Sequence, residues 1–323
     1  IHIPKSVVNI MGTPVRYCPN IKSITVEASN PVYDSRNNCN AIIETKSNTL
    51  ISGCMNTIIP DSITQIQDSA FIGSGLTHID IPESVITIGE EAFANSLITS
   101  IDIPESITTL SRKLFAGCHD LTSVTLSNNL QDLGESTFID CIHLKNITIP
   151  ENVTEIRGTF PGCISLESMI LPENIKRVAY DAFAGCSAME SIVILNPTCE
   201  IESGNMGDMV FYDQTVIYGY NGSTAQAYSE QFDRKFVSLD ENPIIPIGTD
   251  TQYQSGSEAE CVIHCAYPLN NFVNVAMDDV TVDPANYTLA EGSTILTFSP
   301  AYLDTLPAGE HTVTLNYKNA TAT

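Results

Sequence analysis

Cysteines are the side chains of this 323-residue sequence with the most reactive chemistry, and there are ten of them. Four stand three residues after a phenylalanine and recur at intervals of 23, 22 and 23 residues: Cys118, Cys141, Cys163 and Cys186. A thiol in the same place of every repeat packs as a small apolar side chain. Side chains on stacked repeats run parallel and seldom reach the geometry of a disulfide. We therefore predict a column of reduced, inward-facing cysteines.

Two other cysteine pairs are candidates for a cross-link or a metal site. Cys39 and Cys54 could form one disulfide if they flank a hairpin, and this alternative to two free thiols stays open. The run Cys261-x-x-His264-Cys265 has ligand-like residues, but on a strand His264 points away from both cysteines. The two cysteines share a face about 13 Å apart, which is too far for a disulfide. We predict neither a zinc site nor a disulfide there.

No catalytic arrangement can be assembled from the remaining polar residues. Solvated loops are the expected place of two histidines and two acidic pairs: His119, His143, Glu90-Glu91 and Asp278-Asp279. The sequence has no phosphate-binding glycine loop and no D-x-D-x-D-G run. We predict that the protein is not an enzyme and uses no cofactor or metal. Weak calcium binding by an acidic cluster stays open on charge alone.

The charge balance argues against two classes of partner. With 38 acidic and 14 basic side chains, the formal net charge is −24. A basic surface that would neutralise the phosphates of nucleic acid or of anionic lipid is therefore not expected. Because no apolar run is long enough to cross a bilayer, we also predict no membrane insertion.

The elements that would hold these side chains follow from a repeat of 22 to 23 residues. One phenylalanine marks each repeat: Phe71, Phe93, Phe115, Phe138, Phe160 and Phe183. Prolines keep the same spacing, with Ser127 in place of one: Pro60, Pro82, Pro104, Pro150 and Pro172. Ahead of each proline, apolar residues alternate as in Leu76-x-x-Ile79-x-Ile81, which is typical of a short strand that the proline ends. A unit this short buries its apolar side only by stacking on its neighbours, with strands about 4.8 Å apart in a parallel sheet.

We therefore predict an α+β or β solenoid of leucine-rich repeats, with a parallel sheet on one face, over residues 1–242. An insertion at about 30–53 is expected to be a hairpin that projects from the solenoid, with strands at 41–45 and 49–52. The C-terminal cap at about 196–240 would contain a strand at 215–218, a helix at 224–232 capped by Ser223, and a last strand at 236–239.

Residues 243–323 follow a linker at 240–243 and alternate like short strands of an antiparallel sheet. Strands are predicted at Cys261–Cys265, Phe272–Met277, Thr294–Phe298 and 312–317, with turn signals at 283–284, 291–293 and 307–309. This pattern predicts a small antiparallel β-sandwich of immunoglobulin type, and a β-barrel is the alternative.

Two side chains of each repeat strand point outward, and they form the candidate binding surface. The candidate partner-binding residues are His78, Asp80, Asp102, Thr125, Thr148, Ile170 and Val193. Solenoids present such extended faces to partners; the alternative is a set of solvated strand faces without a ligand. Because Ile170 and Val193 are apolar, we expect them to contact either a partner or the cap segment at 196–209. Strand propensity alone is the competing explanation.

The unit L-x-x-I-x-I-P-x-x-V-x-x-I-x-x-x-A-F-x-x-C, seen at 76–93 and 121–141, resembles the BspA-like leucine-rich repeats of bacterial surface proteins. Segments 30–35, 38–43 and 216–223 resemble sequences that recur in the same family, so the match covers about 240 of the 323 residues. Segments 286–288, 292–295, 302–306 and 309–313 are similar to X-type Ig-like modules of bacterial surface and cellulosomal enzymes. The resemblance implies a secreted or wall-attached protein with a role in adhesion, host-protein binding or carbohydrate attachment, and it brings no catalytic residues.

From these features we expect a bacterial cell-surface or secreted interaction protein that binds an extracellular protein or glycan through the sheet face, as a monomer. The alternative is a carbohydrate-binding or spacer region of a larger surface enzyme. Since the sequence has no Trp and neither outward column has an aromatic residue, sugar stacking is the weaker option. Residues 1–4 lie inside a repeat, which predicts that an upstream part, with the signal segment, has been removed.

Overall fold

The structure is a computed structural model that describes residues 1–204, 210–250, 252–257, 260–267, 269–290, 294–318 and 321–323, with the backbone alone at 246–250 and 270. The turn predicted at 291–293 and residues 205–209 of the predicted cap lie outside the described residues. The chain is a β-solenoid of about ten turns with parallel sheets and few helices, followed by antiparallel sheets near the C terminus. The predicted fold class is confirmed.

Two units are defined by the contacts within the chain. The first comprises Ile1–Met169, Asn174–Glu190 and Cys199–Thr215. The second comprises Ile170–Glu173, Ser191–Thr198 and Val216–Thr323. The domain boundary between residues 242 and 243 stays a prediction.

The strands are short and are numbered in chain order. Those before residue 240 are β1 (His2–Ile3), β2 (Thr25–Val26), β3 (Tyr33–Asp34), β4 (Ala41–Glu44), β5 (Thr49–Gly53), β6 (Gln65–Ile66), β7 (Thr87–Ile88), β8 (Ser100–Asp102), β9 (Ser123–Thr125), β10 (Glu155–Ile156), β11 (Ser168–Leu171), β12 (Arg177–Val178), β13 (Ser191–Ile194), β14 (Glu200–Ile201), β15 (Val216–Gly219) and β16 (Phe236–Ser238). Those after residue 240 are β17 (Ile244–Asp250), β18 (Cys261–Cys265), β19 (Phe272–Met277), β20 (Val280–Thr281), β21 (Tyr287–Ala290), β22 (Thr294–Phe298), β23 (Val313–Tyr317) and β24 (Thr321–Ala322).

Helices are short and few in the described chain. They are the α-helices α1 (Thr224–Gln231) and α2 (Pro300–Leu303) and the 3-10 helices Arg36–Asn38, Leu269–Asn271 and Pro284–Asn286. Within the described residues, no helix has both the length and the apolar character needed to cross a membrane.

The repeat contains two strand positions, of which the sequence predicted one. The position before the proline forms β8, β9, β11 and β13. β8 and β9 pair in parallel, with Ser100 beside Ser123 and Asp102 beside Thr125. The corresponding segments at 76–81 and 144–149 run alongside as irregular backbone, so the strands predicted there are absent.

A second position, after the proline, forms the parallel ladders β6-β7 and β10-β12-β14, and the hairpin strand β5 extends the first of them. An isolated bridge between Thr109 and Asp132 continues this second ladder between them. The sequence did not predict this second strand position because its inward residues, such as Val85 and Ile88, are three residues apart and lack the period of two that marks a strand.

The six repeat phenylalanines form one stack in the core of the first unit. Neighbouring rings lie 5.2–5.7 Å apart with nearly parallel planes. Phe211 adds a seventh ring at 5.8 Å from Phe183. All seven side chains are buried, so the predicted core column is confirmed and is one ring longer than its sequence spacing indicated.

The insertion at 30–53 forms the predicted hairpin, but this hairpin does not project. Its strands β4 and β5 pair antiparallel, and β5 then pairs in parallel with β6, which places the hairpin in the five-stranded sheet β3-β4-β5-β6-β7. Ile42 and Ile43 are fully buried. The expectation of a projection is therefore wrong, because apolar residues on both faces of β4 require cover.

The cap elements match their predicted places. β15, α1 and β16 lie within one residue of the predicted bounds, and the Ser223 hydroxyl accepts a hydrogen bond from the Gln226 amide at the start of α1. β13, β15 and β16 pair in parallel in the second unit.

The region after residue 243 consists of two antiparallel sheets, ordered β17-β18-β22-β21 and β20-β19-β23-β24. Their inward side chains form one core that includes Ile263, Val275, Leu296, Phe298 and Leu315. Two layers of this kind are compatible with the predicted small β-sandwich, and the immunoglobulin type stays a prediction.

Candidate partner-binding face

Alternation along the repeat strands places the candidate residues on the surface of the first unit. Ile79, Ile101 and Ile147 are buried, and the side chains on either side of them point outward. His78, Asp80, Asp102, Thr125 and Thr148 are exposed. We call these five residues the strand face; their role in binding stays a prediction.

Hydrogen bonds between repeats fix the backbone beneath the strand face. The Ile103 amide donates to Thr125 O at 2.8 Å, and the Thr122 amide donates to Thr99 O at 2.9 Å. Because successive repeats are bonded in this way, adjacent rows of side chains lie about 4.8 Å apart. The backbone of the strand face is therefore already fixed before a partner binds, so binding does not have to order it.

The charge of the strand face changes along the solenoid. At one end, His78 Nε2 lies 3.1 Å from Asp80 Oδ1, and Asp102 follows one repeat later. Thr125 and Thr148 then offer hydroxyl groups. Beside them, Lys145 Nζ and Glu167 Oε1 form an exposed ion pair at 3.1 Å. The acidic end favours a positively charged group, and the hydroxyl end offers neutral donors and acceptors.

The apolar end of the predicted column differs from the rest. Val193 is fully buried, and Ile170 is half-buried. In the second unit Val193 packs with Leu195, Leu239, Ile245 and Ala266. The expectation that Val193 is an exposed partner-binding residue is therefore wrong.

The chain itself covers this apolar end. Ile245 belongs to β17 and Ala266 follows β18, while Tyr220 donates its hydroxyl hydrogen bond to Ala266 O at 2.9 Å. The residues that cover Val193 thus include the start of the antiparallel region. Val193 is buried by its own chain and not by a separate partner, which was the first of the two expected contacts. The second expected contact was the cap segment at 196–209. Residues 205–209 of that segment lie outside the described residues.

The cysteine column is confirmed and has a feature that the sequence did not indicate. Each buried thiol points at the phenylalanine carbonyl of the preceding repeat: Cys118 to Phe93, Cys141 to Phe115, Cys163 to Phe138 and Cys186 to Phe160, at 3.1–3.3 Å. Ser96 occupies the same position one repeat earlier, 3.5 Å from Cys118 Sγ. Burial raises the pKa of Cys118 to about 11 and that of Cys186 to about 12, and raises those of Cys141 and Cys163 well above their usual value. These thiols are structural, since the reactive form is the thiolate.

We expect a thiol reagent to leave the four column cysteines unmodified in the native protein. Burial blocks access and disfavours the thiolate, so labelling at pH 8 followed by peptide mass spectrometry should find Cys118, Cys141, Cys163 and Cys186 modified only after denaturation. Cys18 is exposed and serves as the internal control, because it should react in the native state. Rapid native labelling of the column, or disulfide-linked peptides from adjacent repeats, would contradict the assignment.

The other cysteines considered for a disulfide or a metal site are free thiols in the structure. Cys39 and Cys54 are both buried free thiols. Cys261 and Cys265 share the inward face of β18, while His264 lies between them on the outward face, and burial lowers its pKa. Within the described residues, no group of three or more His, Cys, Asp or Glu side chains is arranged to hold a metal ion.

Two of the loop residues make contacts that the sequence did not indicate. His143 Nδ1 donates to His119 O at 2.6 Å. Asp278 is bound by His311 and by the Thr312 amide, so it is more than a solvated charge.

The stacked repeat, its phenylalanine column and its parallel ladders define a leucine-rich repeat solenoid protein. The family model of the BspA-type leucine-rich repeat region matches residues 50–160 and 157–216 in six copies. The chain belongs to this family.

A solved structure of TM-score above 0.5 shows the same fold, and two others align less well. A leucine-rich repeat protein from Eubacterium ventriosum aligns with a TM-score of 0.55 and 22% identity, over 66% of this chain and 59% of that one. A leucine-rich repeat protein from Bacteroides ovatus aligns with a TM-score of 0.46 and 22% identity, over 68% and 63% of the two chains. The pneumococcal vaccine antigen PcpA aligns with a TM-score of 0.46 and 16% identity, over 73% and 55%. A search of the curated proteins finds no match.

Proposed function

We propose that this chain is a non-catalytic interaction protein, secreted by a bacterium or held at its surface, that binds an extracellular partner through the strand face. The observation that carries the proposal is the fixed row of exposed polar side chains His78, Asp80, Asp102, Thr125 and Thr148. Membership of the BspA-type family supports an interaction role, and the resemblance of the repeats to those of bacterial surface proteins supports the location.

A protein partner fits the strand face better than a sugar does. Lectin-like sites use aromatic rings to cover the apolar faces of sugars, and none of the five strand-face residues is aromatic. Asp80 and Asp102 instead favour a partner that brings basic side chains, because complementary charge steers association. A glycan is the other member of the proposed partner class and is included in the test. We expect the protein to act as a monomer, which light scattering of the purified chain would check.

The test compares two variants with the same change in charge. Asp80→Lys with Asp102→Lys reverses the acidic end of the strand face, and Asp61→Lys with Glu90→Lys reverses two exposed acids outside it. Wild type is first screened against purified extracellular-matrix proteins and a glycan array. For the strongest hit, we expect at least a tenfold weaker Kd for the first variant and an unchanged Kd for the second.

Three outcomes would contradict the proposal. Wild type could bind nothing in either screen, both variants could bind as wild type does, or both could lose binding to the same extent. The last outcome would indicate that overall charge, and not the strand face, governs association.

A further inference from the structure

His311 lies in the loop at 304–312 that joins α2 to β23 in the antiparallel region, and both of its ring nitrogens face acceptors. Nδ1 lies 2.6 Å from Asp278 Oδ2, and Nε2 lies 2.8 Å from Pro307 O. Asp278 is the first residue of the turn between β19 and β20. Its Oδ1 also accepts from the Thr312 amide at 2.8 Å, while its own amide donates to Thr312 O at 2.8 Å. One histidine and one aspartate thus tie the loop to the turn.

This arrangement requires the imidazolium form of His311. A neutral imidazole carries one N–H and can donate only one hydrogen bond, whereas a carboxylate and a backbone carbonyl only accept. Both contacts can therefore form together only when both ring nitrogens carry a proton. The side chains are 20% and 50% exposed for His311 and Asp278, so protons exchange freely with solvent.

The surroundings of the pair contain few other charges. Asp279 and Glu310 are its acidic chain neighbours, and burial and the charge of Asp278 raise the pKa of the Tyr302 phenol. Asp304, in the same loop as His311, is hydrogen-bonded to the segment at 252–257 instead. Its Oδ1 accepts from the Tyr253 hydroxyl, the Ser255 hydroxyl and the Gly256 amide. Among the described residues, Asp278 and, after it, the Pro307 carbonyl are thus the groups that raise the pKa of His311.

We propose that His311 is a pH-sensitive latch: as imidazolium it bonds Asp278 and Pro307 O at once and so holds the loop at 307–312 against the β19–β20 turn, and its deprotonation breaks one of these two bonds and loosens the loop. This loop, Ile263 and Leu315 form the walls of a cleft at the end of the core between the two sheets. Loosening of the loop therefore increases the access of solvent to this cleft. The proton passes to solvent, and no bond other than the hydrogen bonds changes.

The pH window of the latch follows from the two partners. The hydrogen bond to Asp278 raises the pKa of His311 above its usual 6.5, so its contribution to stability is fully present below that value and is lost as the pH rises through the raised pKa. The hydrogen bond from His311 lowers the pKa of Asp278 below its usual 3.8, so its contribution is present above that value and is lost as the pH falls through the lowered pKa. The latch is therefore closed in mildly acidic solution and opens on the alkaline side.

The test follows two NMR signals of the full chain between pH 4 and pH 9. One is the titration midpoint of the His311 ring, and the other is the protection of the Thr312 amide, corrected for the intrinsic pH dependence of exchange. Protection should fall in step with the His311 titration. Asp278→Asn should shift the midpoint to lower pH, whereas the matched Asp279→Asn should leave it in place; asparagine suits the positive φ of 50° and 65° at these positions.

Two results would overturn the latch. One is a Thr312 protection that stays constant while His311 titrates in wild type. The other is a midpoint that is the same in Asp278→Asn as in wild type. If Asp278→Asn fails to fold, the wild-type measurement decides alone.

Discussion

Replacing Phe138 with alanine should lower the free energy of unfolding by about 3–5 kcal/mol. The side chain is fully buried, and its ring stacks between Phe115 at 5.6 Å and Phe160 at 5.5 Å. Truncation leaves a cavity in the middle of a continuous column, and each repeat is stabilised mainly by its neighbours. Urea unfolding followed by circular dichroism would measure the loss.

Two control variants separate loss of the stack from loss of any aromatic residue. Phe138→Leu keeps most of the apolar volume and should cost less than Phe138→Ala. Tyr180→Ala removes an aromatic side chain that is 50% exposed on the same solenoid, and it should change stability by no more than about 0.5 kcal/mol. A Phe138→Ala protein as stable as Tyr180→Ala would show that the phenylalanine column is not the core of the repeats.

Periodic features of the sequence were sufficient to predict the repeat core. A phenylalanine every 22 or 23 residues specifies one stacked ring for each repeat, and a cysteine three residues later occupies the adjacent inward position. The outward direction of His78 and Asp80 follows in the same way from alternation with Ile79. These predictions succeeded because each depends on local spacing that is reinforced in every repeat.

Contacts between distant segments could not be predicted in this way. The hairpin strand β5 joins β6, and Gly53 at its end lies so close to Phe71 that an added Cβ would be 2.0 Å from the ring. Only glycine allows this approach, but the residue by itself does not reveal which segment approaches it. The burial of Val193 likewise depends on Ile245 and Ala266, which lie outside its repeat.

For the candidate site, the sequence indicated which side chains face outward but not which of them remain accessible. Alternation alone gives Thr148 and Val193 the same outward position in their repeats. In the structure Thr148 is exposed, whereas Val193 is covered by residues that come later in the chain. The chemistry of the partner is determined by the partner as well as by the strand face, so the sequence restricts it only through charge and the lack of aromatic residues.

Val193→Asp should lower the free energy of unfolding by about 3–5 kcal/mol at pH 7, the range for a buried charge without a partner. Val193 is fully buried in an apolar cluster with Leu239, Ile245 and Ala266. Burial disfavours the charged form of the introduced carboxyl and so raises its pKa. The loss of stability should therefore be smaller at pH 4 than at pH 7. Urea unfolding at both pH values would measure this difference.

The matched control is Thr148→Asp, which places the same group at the equivalent position of an exposed repeat. We expect it to change stability by no more than about 0.5 kcal/mol at either pH. Hydrogen exchange adds a local measurement: Val193→Asp should reduce protection in β13 and in the backbone around Ala266 together, because the cluster links these segments. If Val193→Asp is as mild as Thr148→Asp, or if protection falls in β13 alone, then the antiparallel region does not cover the apolar end of the repeat strands.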